Sequence, residues 1–112
     1  MSIPREPELY FSDILDAVGN ILDYTAGLDY EDFISNRMCT DAVIKNLLVI
    51  GEAVKKIPEG IKSEHMSIDW KNIAGLRDVL VHAYFRIDDE ILWDIVQNKL
   101  EDLRDEVLKM SE

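Results

Sequence analysis

The chain has 112 residues, 47% of them apolar, and a formal net charge of −11. Its length and apolar content predict one domain, residues 1–112, with a core of its own. They exclude a membrane span, since no apolar run approaches the roughly 18 residues that a spanning helix needs. The net acidity argues against broad nonspecific coating of nucleic acid, which uses clustered Lys and Arg.

The N-terminal residues and the single cysteine indicate a cytoplasmic protein. Residues 1–7 lack the apolar centre of a signal peptide. Cys39 has no second cysteine to pair with, so no intrachain disulfide can form and no Cys-rich metal site is available. Its simplest role is that of a small buried thiol.

Charge is distributed unevenly along the chain. Residues 1–36 hold one basic and eight acidic side chains, and residues 87–112 hold three and nine. Residues 37–86 hold eight basic and six acidic side chains. Such a pattern could confine an anionic substrate to one central cleft, and it is equally compatible with an ordinary solvated surface.

The first half of the chain predicts two long helices and one short helix. The first helix covers residues 8–26, with Pro7 suited to its first turn and Gly27 at its end. A short helix follows at 30–36. The second long helix covers 40–57, with Thr40 as its N-cap, and its wide apolar arc predicts a central place in a bundle. The core stripe of the first helix is Tyr10, Ile14, Ala17, Ile21, Tyr24 and Leu28.

The second half predicts a loop at 58–68 and two further helices. His65, in the loop, is expected to be a surface residue, because no second His or acidic cluster lies beside it at ligand spacing. Asp69 and Asp88 are the predicted N-caps of helices at 70–84 and 89–110. No segment has the pattern of a strand. The predicted fold is therefore all-α, an antiparallel up-and-down bundle of four main helices plus one short helix.

The stretch 76–85 concentrates chemistry that packing alone does not explain. It holds Arg77, Asp78, His82 and Tyr84. On an ideal helix Asp78 and His82 share one face, whereas Arg77 and His82 point roughly 140° apart. For both to reach one substrate atom, either the helix unwinds near its end or two copies of it meet in a dimer.

Together, Arg77 and His82 supply what RNA cleavage needs without a metal. The guanidinium is a fixed cation suited to phosphate, and the imidazole can take and give a proton near neutral pH. Asp78 could hold the imidazole in one tautomer. The alternative is that Arg77 and Asp78 are ordinary surface charges and His82 is a hydrogen-bonded helix residue, and spacing alone favours that alternative.

The surrounding residues resemble a known family along most of the chain. Residues 70–85 read Trp-Lys-Asn-Ile-Ala-Gly-Leu-Arg-Asp-Val-Leu-Val-His-Ala-Tyr-Phe, and residues 88–93 read Asp-Asp-Glu-Ile-Leu-Trp. Both closely resemble the signature of the HepT-like branch of the HEPN superfamily. Residues 42–54, Ala-Val-Ile-Lys-Asn-Leu-Leu-Val-Ile-Gly-Glu-Ala-Val, resemble its central helix.

This resemblance implies a HEPN-like bundle that forms a homodimer, with a metal-independent ribonuclease centre at the interface and no cofactor. It implies Arg77 and His82 as catalytic residues, Asp78 as their polar support and Tyr84 as a site of modification. It also implies a toxin whose partner is an MNT-type nucleotidyltransferase antitoxin that transfers AMP to the tyrosine. Higher assembly with the antitoxin is left open.

The chain departs from the family pattern at residue 83, which is Ala where the family often has Gly or a polar residue. Any backbone distortion that a Gly would permit there is therefore in doubt.

Two other interpretations remain open from the sequence. The chain could instead be a non-catalytic module that binds a nucleotidyltransferase partner or a nucleotide. It could also be a helical scaffold with no site.

Overall fold

All regular structure in the described part of the chain is helical, which confirms the predicted all-α bundle. The computed structural model describes residues 6–83 and 88–111. None of the helices within these residues is long and apolar enough to cross a bilayer. They are α1 (Pro7–Thr25), α2 (Tyr30–Ser35), α3 (Arg37–Lys56), α4 (Glu59–Lys62), α5 (Trp70–Ala83), α6 (Asp89–Asn98) and α7 (Leu100–Met110).

Helix α3 is the central helix, as its wide apolar arc predicts, because it packs against both α1 and α5. Helix α7 also packs on α1. Tyr24, predicted in the core stripe of α1, is instead 47% exposed, and Thr25 takes the inward position one helical turn after Ile21. The core includes Ile14, Val18 and Ile21 of α1, Val43, Leu47, Ile50 and Val54 of α3, and Leu103 and Val107 of α7.

Polar side chains fix where several helices begin. The Asp69 carboxylate accepts a hydrogen bond from the backbone N–H of Asn72 at 3.2 Å, and Asp88 accepts one from Glu90 at 2.8 Å. Both predicted N-caps are therefore confirmed. The chain turn after α1 uses Gly27 at a φ of 77°, a backbone conformation that glycine adopts without steric cost.

Two helix boundaries differ from the prediction. Helix α3 begins three residues early, because Asn36 rather than Thr40 caps it by accepting from the N–H of Cys39 at 3.1 Å. The predicted helix at 89–110 is interrupted at Lys99, whose φ of −116° separates α6 from α7. The predicted loop at 58–68 contains the single turn α4.

His65 is not the surface residue that the sequence predicts. Its side chain is 20% exposed, and its Nδ1 lies 2.9 Å from Oε1 of Glu106 on α7. Its backbone carbonyl also accepts from the indole N–H of Trp70 at 2.9 Å. The residue thus ties the segment before α5 to α7, a long-range partnership that local spacing does not reveal.

This contact predicts a pH-dependent contribution to stability. Hydrogen bonding from His65 lowers the pKa of the Glu106 carboxyl, against the opposing effect of burial. A carboxyl with a depressed folded-state pKa stabilises the fold above its ordinary value of 4.5 and loses that contribution as the pH falls through the folded value. We expect Glu106→Gln to lower the thermal unfolding midpoint at about pH 7, and the difference from wild type to shrink towards about pH 3.

The control is Glu101→Gln, which removes an exposed carboxylate from the same helix. It should leave the midpoint close to wild type at both pH values. A difference between Glu106→Gln and wild type that stays constant with pH would show that the ion pair contributes nothing pH-dependent.

Candidate functional site

Helix α5 carries the described residues of the predicted motif. It is continuous from Trp70 to Ala83, so it does not unwind between Arg77 and His82. On a regular helix their side chains leave the axis roughly 140° apart. Within one protomer the two residues therefore face different sides. Tyr84 lies outside the described residues.

The Arg77 guanidinium is held by two carboxylates. Its Nε forms an ion pair with Oε2 of Glu52 on α3 at 2.9 Å, and its Nη1 donates to Oδ1 of the adjacent Asp78 at 3.1 Å. The side chain is 31% exposed. These two contacts restrain the guanidinium, and among the described residues its Nη2 has no hydrogen bond or ion pair, so it can donate to another acceptor.

Gly51 allows α3 and α5 to approach at this point. A Cβ atom added to Gly51 would lie 2.5 Å from Cβ of Arg77 and 3.3 Å from its Cα. Any larger residue would push the two helices apart and shift the arginine. Neither Gly51 nor Glu52 was predicted as a site residue, although the Gly-Glu pair lies inside the stretch that resembles the family's central helix.

Gly51→Ala is expected to destabilise the protein by about 1–3 kcal/mol, because the added methyl overpacks the contact between α3 and α5. The matched control is Gly19→Ala in α1, where a Cβ would meet nothing within 4 Å. That change should be neutral or stabilising by up to about 1 kcal/mol, since Ala favours helix over Gly. Urea unfolding measures both, and equal stability of the two variants would contradict the close approach.

Asp78 pairs with cations on both sides. Besides Arg77, its Oδ1 lies 3.6 Å from Nζ of Lys55. The hydrogen bond from Arg77, together with the charge of Lys55, lowers the pKa of the Asp78 carboxyl, so it is ionised at neutral pH. These described contacts make Asp78 a support of Arg77. Within the described residues, Asp78 does not form the predicted contact with the His82 ring.

His82 is exposed. Among the described residues its ring has no hydrogen bond or ion pair, so both ring nitrogens are open to an incoming group. The structure therefore places an available imidazole and an oriented guanidinium on one rigid helix but does not bring them together in one protomer.

Arg77 opens onto a depression of about 470 Å³ between α1, α3 and α5, which we call the arginine cleft. Its exposed apolar members are Val49 and Val81, at 38% and 48%. Lys56 adds a second cation, with its Nζ 4.0 Å from Glu52. The cleft can thus bind an anion beside Arg77 and Lys56 and an apolar group beside Val49 and Val81. It is lined by Tyr10, Asp13, Leu48, Val49, Glu52, Ala53, Lys56, Arg77 and Val81.

The chain is similar to known proteins along most of its length. Residues 14–110 match the sequence profile described as Ribonuclease HepT-like. A Methanocaldococcus jannaschii protein named "Putative RNase MJ0125" is 39% identical over 106 residues, which cover 95% of this chain and 91% of that protein. "Probable ribonuclease HepT" of Thermococcus cleftensis is 38% identical over 106 residues, covering 95% of this chain and 96% of that protein. No solved structure matches the chain significantly.

Proposed function

Because the chain belongs to the family of HepT-like ribonucleases, we propose that it is a metal-independent RNA endonuclease with Arg77 and His82 as catalytic residues. One observation carries the proposal. Two carboxylates orient Arg77 at the edge of a cleft, five positions before an exposed histidine on the same continuous helix. The close approach of α3 and α5 at Gly51 brings the adjacent Glu52 beside Arg77.

In the proposed reaction the RNA supplies its own nucleophile. The 2′-hydroxyl attacks the adjacent phosphorus while a base removes its proton, the P–O5′ bond breaks, and an acid protonates the leaving 5′-oxygen. The products are a 2′,3′-cyclic phosphate and a 5′-hydroxyl. His82 performs one of the proton transfers, since an imidazole nitrogen can accept or donate a proton. Arg77 stabilises the additional negative charge on the phosphorane through its unoccupied donors.

The two residues meet across a homodimer interface in this proposal. Arg77 and His82 cannot face one substrate atom from a single regular helix, so each site takes its arginine from one protomer and its histidine from the other. The exposed Val49 and Val81 beside Arg77 support this arrangement, because a two-fold contact would bury their apolar surface. Asp78 and Glu52 then act as positioning residues for Arg77.

Biologically, we place the protein as the toxin of a type VII-like HEPN/MNT toxin–antitoxin pair. Its partner would be an MNT-type nucleotidyltransferase that transfers AMP to Tyr84. The support is the resemblance of residues 70–85 to the family signature. A phosphodiester on that tyrosine would add negative charge and bulk to the motif, and its phosphate could compete with substrate phosphate for Arg77.

Tyr84→Phe should keep its ribonuclease activity and escape neutralisation by a co-expressed MNT-type nucleotidyltransferase, because it lacks the phenol oxygen that accepts AMP. Mass spectrometry of the purified wild type should find AMP on Tyr84. Tyr24→Phe, which removes the hydroxyl of an exposed tyrosine of α1 outside the arginine cleft, is the matched control and should be neutralised as fully as wild type. Full neutralisation of Tyr84→Phe with no AMP on the wild-type tyrosine would leave simple complex formation as the mode of inhibition.

Incubation of single-stranded RNA with the purified protein in a metal chelator tests the proposed activity. We expect cleavage that leaves cyclic phosphate ends and that His82→Ala removes. Cleavage that requires an added divalent cation would contradict the metal-independent mechanism. If no RNA is cut while the protein still binds the nucleotidyltransferase, the chain is the non-catalytic binding module.

A further inference from the structure

A second, larger depression of about 1040 Å³ runs beside α5, and we call it the lysine groove. Its cationic walls are Lys55 of α3, Lys62 of α4 and Lys71 of α5. Three separate elements thus each contribute a lysine to one depression, which also contains three carboxylates, in a chain of net charge −11. The other residues that line it are Glu59, Ser63, Met66, Ser67, Ile68, Asp69, Trp70, Ala74, Gly75 and Asp78.

The groove lies on the face of α5 that carries His82. Its members Lys71, Gly75 and Asp78 follow one another at spacings of four and three residues, and His82 continues the same row four residues later. Residues at this spacing share one helix face. The row extends about 16 Å from Lys71 to His82, at a rise of 1.5 Å per residue. A nucleic-acid strand lying in the groove would therefore reach the His82 imidazole at one end.

Two lysines of the groove already have carboxylate partners, because Lys55 pairs with Asp78 and Lys62 with Glu59. Asp69 caps α5 by accepting from the N–H of Asn72. By contrast, Lys71 has no ion pair among the described residues, and its ammonium is available to an incoming anion.

Lys62 is an unusual lysine because its side chain is only 10% exposed. Its ammonium lies 3.4 Å from Glu59, a carboxylate that is itself 91% exposed. A contact of 3.4 Å with so exposed a carboxylate is a weak ion pair. A phosphate in the groove would give the Lys62 ammonium a second anionic partner.

The floor of the groove suits an apolar or aromatic group. Ala74 and Gly75 leave a shallow surface, since a Cβ added at Gly75 would meet nothing within 4 Å. Trp70 is buried beneath, and Met66 stands 81% exposed at the rim. A nucleobase could lie on this floor while the flanking lysines contact its phosphates.

We propose that the lysine groove binds the single-stranded flank of an RNA substrate and leads it to His82. This inference rests on the proposed ribonuclease function and names a substrate-binding surface beyond the catalytic pair. The lysines contact successive phosphates, which carry no sequence information, so the groove should bind unstructured RNA with little regard to base identity.

Four variants test the groove. Lys71→Glu reverses the charge of the groove lysine that has no ion pair among the described residues, and Lys71→Ala removes that charge. Gly75→Leu fills the floor of the groove while improving helix propensity, so weaker binding by this variant cannot be attributed to unfolding. Lys99→Glu, at the junction of α6 and α7 outside the groove, makes the same charge change as Lys71→Glu. Each is made alone for cleavage and in a His82→Ala background for binding of a labelled, unstructured RNA.

We expect Lys71→Glu and Gly75→Leu to weaken RNA binding on the order of tenfold and to raise KM with little change in kcat. Lys71→Ala should make the dependence of log affinity on log salt shallower by about 0.7, the loss of one phosphate contact on a single strand. Lys99→Glu should bind and cleave nearly as wild type does.

Groove variants that bind RNA like Lys99→Glu would overturn the inference, even if wild type cleaves RNA and the proposed function stands. If wild type does not cleave RNA, the proposed function fails, but weaker binding by Lys71→Glu would still support the groove. Should the groove variants change only the binding of a nucleotidyltransferase, the surface belongs to a protein partner and the RNA inference is wrong.

Discussion

His82→Ala is expected to lower the rate of RNA cleavage by on the order of 100-fold or more while leaving the fold intact. The imidazole is the proton-transfer group of the proposed reaction, so its loss removes a proton transfer. Because the side chain is exposed, its truncation should change the free energy of unfolding by less than about 0.5 kcal/mol. Initial rates with a labelled RNA and a thermal melt of the same samples measure both.

Arg77→Lys is the companion variant, because it keeps the charge and removes the planar fork. Lysine cannot hold Glu52 and Asp78 while presenting further donors to a phosphate, so we expect a loss of activity close to that of Arg77→Ala. Full activity of Arg77→Lys would reduce the arginine to a point charge. Wild-type activity in both His82→Ala and Arg77→Ala would remove the catalytic role from this pair.

Local sequence signals predicted much of the fold. Residues close in sequence determine the caps at Asp69 and Asp88 and the turn at Gly27 after α1. Helical periodicity predicts the central place of α3. Such features act within a few residues of where they are encoded, which is why they can be recognised without a structure.

The errors of prediction have two physical origins. At Asn36 and Thr40, two competent caps lie close together, and the first satisfies the helix N-terminus while the Thr40 hydroxyl donates to a backbone carbonyl. His65 pairs with Glu106, 41 residues away, and tertiary packing alone brings them together. A further error, the break at Lys99, has no local signal, because α6 ends there without Pro or Gly.

The candidate site was predicted in part. Its residue types and their separation on the helix follow from the sequence, but the partners of Arg77 do not, because Glu52 lies on another helix. The role of Gly51 could not be predicted either, since only the observed contact between α3 and α5 explains why a side chain there is excluded. The tyrosine of the motif, Tyr84, lies outside the described residues and its role stays a prediction.

The second large effect is recovery of activity in a mixed dimer. If each site takes Arg77 from one protomer and His82 from its partner, a dimer of one Arg77→Ala protomer and one His82→Ala protomer keeps one complete site of two. It should therefore show roughly half of the wild-type rate, although either variant alone is inactive. The two protomers carry different affinity tags, so that sequential purification isolates the mixed dimer.

The most direct measurement compares that dimer with one that has the same two substitutions on a single protomer. Pairing wild type with the double variant Arg77→Ala, His82→Ala leaves both shared sites incomplete, so we expect its RNA cleavage to be nearly lost while the first mixed dimer retains roughly half. The reverse order, with the wild-type pairing active and the first mixed dimer inactive, would place each complete site within one protomer and contradict the shared site.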